Sequence, residues 1–177
     1  QSAKEVYKAD IVLQVAPPSN DVIKLMQPKQ TIFSALQLPV QPKDILKRLI
    51  DKKVTAIAWD FFQDDDGTFS VIRSMGEIAG NTSILVAAEY LSKANNGQGL
   101  MFGGITGVKP SKVVIIGAGT VGEFATRAAL GLGAAVKVFD NNIYKLRRLQ
   151  NAIGQTVWTS TIQPEVLETE LMTADVV

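Results

Sequence analysis

Short apolar runs alternate with amphipathic stretches over the first third of the chain. The apolar runs 11–15, 31–36 and 54–59 are rich in branched and aromatic residues, as expected for strands. Between them, apolar residues recur at helical spacing in 21–26 and 44–50. Because strands and helices alternate at this rhythm, the pattern predicts an α/β domain with a mostly parallel sheet.

The same rhythm resumes beyond residue 112. It predicts strands at 113–116, 135–139 and 156–159, and helices at 120–132, 143–152 and 164–173. The last residues, 174–177, predict the opening of a further strand, and the chain begins with Gln rather than Met. We therefore expect a fragment of a larger subunit, with functional residues beyond both ends.

A long helix is predicted between the two regions, over residues 74–94. Ser74 and Glu77 have the spacing of a capping box at its start. Four apolar residues can share one face of this helix: Ile78, Leu85, Ala88 and Leu91. The polar, glycine-rich segment 95–99 is expected to end it.

Three adjacent carboxylates, Asp64 to Asp66, resemble part of a calcium loop. An EF-hand loop needs a glutamate at its twelfth position, but the twelfth residue from Asp64 is Met75. We therefore predict a solvated turn ending in Gly67, and no metal site.

Composition limits the class of function. With 46% hydrophobic and 20% charged residues, the chain can bury a core. A formal charge of +1 without a basic block argues against nucleic-acid binding. The absence of cysteine and histidine excludes a disulfide scaffold, thiol catalysis and the usual soft metal ligands. No apolar run approaches the roughly 20 residues of a membrane span, so we expect a cytoplasmic protein.

A glycine motif joins the strand predicted at 113–116 to the next helix. Gly117, Gly119 and Gly122 have the GxGxxG spacing of a dinucleotide-binding loop. The first glycine permits the tight turn, the second leaves room for a pyrophosphate, and the third lets the helix pack close to the sheet. The pyrophosphate would meet the free amides at the start of the helix, around Thr120 and Val121.

The context of the motif supports a Rossmann-type site. The helix carries Val121, Phe124, Ala125 and Ala128 on one apolar face, and the second strand ends in Asp140, about 20 residues further on. Asp140 can accept hydrogen bonds from the adenosine ribose, and its charge would repel a 2′-phosphate, which favours NAD over NADP.

Three cations follow Asp140. Lys145, Arg147 and Arg148 could reach a phosphate, but the better interpretation is a solvated helix face, because Asp140 blocks the obvious phosphate position. The predicted NAD-binding residues are Gly117, Gly119, Thr120, Val121, Gly122, Asp140 and Lys145.

Four segments together resemble the alanine dehydrogenase and nicotinamide nucleotide transhydrogenase α-subunit family. They are Met75–Gly80, Met101–Val108, the loop Gly117–Gly122 and Val138–Asn142, and the resemblance extends from about Ala9 to Val177. It is closer to alanine dehydrogenase, because the loop Gln63–Gly67 resembles the short loop of that branch. The transhydrogenase branch carries there an Arg, Gln and Asp set that this sequence lacks.

The resemblance implies a Rossmann-type NAD domain and a substrate domain that face each other across a cleft, joined by long helices. It assigns residues 1–75 to part of the substrate domain, 76–96 to a connecting helix, and 97–177 to the first part of the NAD domain. It also implies a homo-oligomer that converts L-alanine, NAD and water reversibly to pyruvate, ammonium and NADH.

Two positions depart from the family pattern. Ala16 stands where the resemblance leads us to expect a substrate-holding lysine, and Gln37 stands where it leads us to expect an acid–base histidine. Alanine has no charge, and glutamine cannot transfer a proton near neutral pH, so the catalytic residues stay unassigned. Residues outside the chain would supply the chemistry, or the amino-acid reaction has been lost. A further alternative is the NAD(H)-binding component of a proton-translocating transhydrogenase, which needs an NADP-binding partner and a membrane subunit.

Overall fold

Two compact units make up the structure, a computed structural model that describes residues 2–177. The first unit ends at Ile72 and the second is Arg73–Val177, so the boundary falls inside a long helix. The α/β character predicted from the sequence is confirmed in both units.

The first unit contains a three-stranded parallel sheet of β1 (Ile11–Leu13), β2 (Thr31–Ser34) and β3 (Thr55–Ala58), in that order. Its helices are α1 (Ala3–Val6), α2 (Asn20–Leu25) and α3 (Lys43–Asp51), and short 3-10 helices span Leu38–Val40 and Trp59–Phe61. The strands are shorter than the apolar runs that predicted them, because each run continues into the loop that leaves the sheet.

The core of the first unit lies on one face of its sheet. Val12 and Ile32 are paired in register and both are buried, together with Ile23 of α2 and Leu49 of α3. Side chains alternate between the two faces of a strand, so Leu13 lies on the opposite face and is 77% exposed.

The long helix α4 spans Ser70–Leu91 and begins four residues before the predicted start. The predicted capping box is wrong, because Ser74 lies inside the helix and the Glu77 carboxylate accepts a hydrogen bond from Arg73 at 3.2 Å, one turn earlier. The predicted apolar face is only partly correct. Ile78 and Leu85 are exposed, and the buried residues of α4 are Gly80, Ile84 and Leu91. A 3-10 helix, Lys93–Asn95, follows.

The second unit has the alternating strands and helices that the sequence predicts. Its elements are β4 (Lys112–Ile116), α5 (Thr120–Gly131), β5 (Ala135–Phe139), α6 (Ile143–Ile153), β6 (Trp158–Ser160) and α7 (Pro164–Leu171). The three strands are parallel in the order β4-β5-β6. Lys137 of β5 pairs with Glu170 of α7 at 2.5 Å, which holds that helix against the sheet.

The segment predicted as the opening of a strand lies beside β4. Val176 forms a parallel bridge with Val113, and the Val114 amide donates to the Val176 carbonyl at 2.9 Å. Since Val113 also pairs with Val136 of β5, Val176 lies on the opposite edge of β4. The spatial order is therefore β6, β5, β4, Val176, which is the order 3-2-1-4 of a Rossmann half-sheet.

Candidate functional site

The glycine loop Gly117–Gly122 leaves the carboxyl end of β4 and enters α5. β5 pairs with one edge of β4, and the chain later returns so that Val176 pairs with the other edge. In open parallel sheets, ligands bind outside the carboxyl ends of the strands at such a reversal of strand order. The loop therefore occupies the position where a dinucleotide would bind.

The three glycines are required for different reasons. Gly117 has φ +115°, a conformation that disfavours any side chain, and a Cβ added to Gly122 would lie 1.8 Å from the Gly117 carbonyl oxygen. Gly119 has an ordinary φ of −77°, and a Cβ added there would meet no atom within 4 Å. Neither backbone geometry nor packing requires a glycine at 119, so the open space beside it fits a ligand group.

The first turn of α5 can bind an anion. Gly119 is the N-cap and has no side chain to cap the helix. The first intrahelical hydrogen bond runs from the Glu123 amide to the Gly119 carbonyl, so the amides of Thr120, Val121 and Gly122 have no acceptor within the helix. These amides and the helix dipole present partial positive charge beside the space at Gly119. The residues present therefore fit a pyrophosphate.

The predicted apolar face of α5 is only partly correct, since Ala125 is buried and Ala128 packs against the core of the second unit. Val121 is 47% exposed, and the buried positions of α5 are Gly122, Glu123, Ala125, Thr126 and Ala129. Val121 and Phe124 instead lie beside α4, where a Cβ added to Gly80 would be 2.4 Å from the Val121 carbonyl oxygen. The helix thus packs on two elements, which one apolar stripe in the sequence does not reveal.

Asp140 lies at the carboxyl end of β5, beside the loop. Its Oδ2 accepts a hydrogen bond from the Ala118 amide and its Oδ1 accepts one from the Asn142 amide, each at 2.7 Å. Burial raises the pKa of Asp140, but these two hydrogen bonds and the charges of Lys145 and Arg148 outweigh it and lower that pKa. The side chain is therefore a carboxylate that organises the loop.

The three cations of α6 have different positions. Lys145 is exposed and its charge acts on Asp140, whereas Arg147 lies over the Tyr144 ring at 5.8 Å. All three residues are exposed, as a solvated helix face requires, and Arg148 also donates from Nη2 to the Ala118 carbonyl at 3.1 Å. Lys145 and Arg148, three residues apart, share one helical face in the sequence, but that spacing does not identify Ala118 as a partner.

Ala16 and Gln37 follow β1 and β2, adjacent parallel strands whose carboxyl ends share one edge of the sheet in the first unit. The Ala16 carbonyl accepts hydrogen bonds from Gln14 and from Ser34. Gln37 has φ +47°, and its amide donates to Asp60 at 3.0 Å, as does the amide of Leu36. The sequence contained no signal for this role of Asp60. A methyl group and a carboxamide cannot transfer protons at this edge.

The acidic segment forms the predicted turn. The Gly67 amide donates to the Asp64 carbonyl at 2.9 Å, and Gly67 has φ +80°. Asp66 accepts a hydrogen bond from the Thr68 amide through its side chain, which leaves the carboxylates on a surface loop. Among residues 2–177, no three potential metal ligands cluster.

Within residues 2–177, no helix combines the length and the apolar character that crossing a membrane requires.

Comparison with known proteins identifies the family. A family profile described as "Alanine dehydrogenase/PNT, N-terminal domain" matches residues 1–79, and one described as "Alanine dehydrogenase/PNT, C-terminal domain" matches residues 83–177. A protein named alanine dehydrogenase from Methanococcus maripaludis is 38% identical over 159 residues, which cover 89% of this chain and 42% of that protein. Another of that name, from Mycolicibacterium smegmatis, is 36% identical and is covered to 47% of its length.

Solved structures give the same result. An L-alanine dehydrogenase superposes with a TM-score of 0.84 at 34% identity, over 98% of this chain and 48% of the other. A transhydrogenase from Sinorhizobium meliloti superposes with a TM-score of 0.71 at 22% identity, over 98% of this chain and 48% of the other, which shows a shared fold. The chain spans about half the length of the curated relatives it matches. Since the two family profiles together match nearly all of it, the chain belongs to the alanine dehydrogenase/PNT family.

Proposed function

We propose that this chain binds NAD(H) and is part of an oxidoreductase of the alanine dehydrogenase type. The reaction would convert L-alanine, NAD and water to pyruvate, ammonium and NADH. The observation that carries the proposal is the open space beside Gly119, which lies at the first amides of α5, at the carboxyl end of β4. The names of the relatives support the choice of a small amino or keto acid as substrate.

Each predicted cofactor-binding residue receives a task. Gly117 and Gly122 shape the loop, Gly119 admits the pyrophosphate, and the amides of Thr120 and Val121 donate to it. Asp140 accepts hydrogen bonds from the adenosine ribose through the lone pairs that its two loop hydrogen bonds leave free. Lys145 contributes charge near the adenosine end. When bound, the nicotinamide ring supplies the hydride acceptor.

We propose that the protein prefers NAD to NADP. The lowered pKa of Asp140 keeps its carboxylate charged at neutral pH, so it would repel a 2′-phosphate. Calorimetric titration of the full-length protein with NADH and NADPH tests this preference. Equal affinity for the two cofactors would show that Lys145 and Arg148 compensate for that repulsion.

The reaction is tested by following NADH absorbance in the full-length protein with ammonium and pyruvate, and then with a panel of other keto acids. We expect NADH consumption with pyruvate or a close analogue. NADH binding without consumption across the panel would contradict the proposed reaction while leaving the cofactor site intact.

A second candidate is an NAD-binding family member that has lost the amino-acid reaction. Ala16 and Gln37 favour it, because they follow adjacent strands and neither can hold a carboxylate by charge or move a proton. Restoring both side chains, Ala16→Lys with Gln37→His, separates the two candidates. Activity that appears only in the double variant would favour the second.

The transhydrogenase alternative has the shared fold as its support. It predicts hydride exchange between NADH and an NADP analogue when an NADP-binding partner is added.

We also propose a cytoplasmic homo-oligomer in which residues 1–75 form part of a substrate domain, 76–96 a connecting helix and 97–177 the first part of the NAD domain. Exposed apolar residues on α4, including Ile78, Leu85 and Tyr90, support self-association. Analytical ultracentrifugation of the full-length protein tests the oligomer, and a monomer at micromolar concentration would contradict it. Cell fractionation tests the location.

A further inference from the structure

The peptide of Ala118 is held on both sides by groups from outside the glycine loop. Its amide donates to Asp140 Oδ2 at 2.7 Å, and its carbonyl accepts from Arg148 Nη2 at 3.1 Å. Ala118 itself is completely buried. We call these two contacts the Ala118 clamp.

The Ala118 clamp acts in a segment whose backbone loses much conformational entropy when it becomes ordered. Ala118 lies between Gly117 and Gly119, and glycine loses more conformational entropy on ordering than any other residue. A loop held in one conformation before the ligand arrives avoids that entropic cost on binding. Asp140 directly follows β5 and Arg148 lies in α6, so residues from outside the loop fix its conformation.

We propose that Arg148 is a positioning residue for the dinucleotide, acting through the Ala118 carbonyl. The inference rests on the proposed NAD(H) site. Arg148 does not need to contact the cofactor. Its guanidinium holds the backbone that faces the pyrophosphate, and its charge helps to keep Asp140 ionised.

A matched pair of variants on one helix isolates this role. Arg148→Met removes the charge and the donor while keeping a long side chain, and Arg147→Met removes the same charge from a neighbour that lies over Tyr144. Any effect of net charge alone is therefore shared by the two variants. Arg148→Lys restores a donor to a carbonyl and should recover part of the affinity.

The measurement compares NADH, ADP and adenosine binding in the full chain by calorimetry and ligand-observed NMR. Loss of one charge-assisted hydrogen bond predicts about tenfold weaker NADH binding in Arg148→Met and less than about twofold change in Arg147→Met. Arg148→Met should weaken the binding of ADP, which carries the pyrophosphate, as much as the binding of NADH. Adenosine should bind to the two variants with equal affinity. An equal loss for adenosine, or equal affinities for NADH in the two variants, would overturn the proposal.

Hydrogen exchange of the loop amides without nucleotide keeps the two proposals separate. Faster exchange at residues 117–119 is expected in Arg148→Met alone. If the unsubstituted protein fails to bind NADH, the proposed function is wrong, and equal exchange in the two variants would overturn the clamp independently.

Discussion

The loop 117–122 contains three glycines, and each position has a glycine for a different physical reason. Gly117 has a positive φ, Gly122 has no room for a side chain, and Gly119 has room that the protein itself leaves empty. The GxGxxG motif does not distinguish these reasons, but substitutions at the three positions should have different effects on stability and on NADH binding.

Gly119→Ala and Gly122→Ala form the first test. Gly119→Ala should change the free energy of unfolding by less than about 1 kcal/mol and weaken NADH binding on the order of tenfold or more, because the new methyl would enter the space proposed for the pyrophosphate. Gly122→Ala should cost about 3 kcal/mol, since its Cβ meets the Gly117 carbonyl oxygen. Urea unfolding and NADH titration measure both effects. Normal NADH binding by Gly119→Ala would contradict the assigned role.

Asp140 gives a prediction about pH. Its lowered pKa means that the folded protein favours the carboxylate, so its contribution to stability is present above the ordinary pKa of about 4 and is lost as pH falls through the folded value. The stability difference between the unsubstituted protein and Asp140→Asn should therefore be largest at neutral pH and shrink below about pH 4. Urea unfolding at several pH values measures it. A difference that does not change with pH would show that the charge of Asp140 does not stabilise the fold.

At the scale of elements, α4 and α5 approach closely enough to exclude a single methyl group. A Cβ at Gly80 would lie 2.4 Å from the Val121 carbonyl oxygen and 2.8 Å from Phe124 Cβ. Gly80 belongs to the segment Met75–Gly80, one of those on which the family resemblance rests. The close packing against α5 explains why this position has a glycine.

Gly80→Ala should lower the free energy of unfolding by about 2 kcal/mol, because α4 must move away from α5. Gly131→Ala is the matched control, since Gly131 also lies in a helix and a Cβ there meets no atom within 4 Å. The control should gain roughly 0.5–1 kcal/mol from the reduced entropy of the unfolded chain. Thermal or urea unfolding of the two variants measures the contrast. Equal changes would show that the close approach of the helices does not limit the side chain at position 80.

Element boundaries and faces were the least predictable features. Periodicity located α5, α6 and the three strands of the second unit to within two residues, because apolar residues repeat at helical spacing in the helices and form short continuous runs in the strands. It misplaced the start of α4 and its buried face, because α4 carries apolar residues on exposed sides as well, such as Ile78 and Leu85. An apolar face predicted from the sequence does not show which neighbouring element packs against it.

At the scale of the whole molecule, the buried apolar residues form two separate clusters. One is centred on Ile32 in the first unit, and the other includes Val138 and Leu149 in the second unit. Each unit therefore has its own hydrophobic core.

Core truncations test this separation. Ile32→Ala and Leu149→Ala remove side chains that are fully buried, so each should cost about 2–5 kcal/mol. Hydrogen exchange should show the larger loss of protection in the unit that carries the substitution. Uniform loss across both units from either variant would indicate one cooperative core instead.

The sequence by itself determined the α/β class, the glycine loop and the acid that ends the second strand, because these depend on local periodicity and on residue types at short spacing. It also identified Ala16 and Gln37 as departures from the family pattern. Only the tertiary structure decided that Gly119 is free of packing constraints, that Arg148 and Asp140 hold Ala118 from both sides, and that Asp60 binds the amides beside Gln37. These contacts join residues 22 to 30 positions apart. Such pairs come together through the folding of the sheet, and no local pattern encodes them.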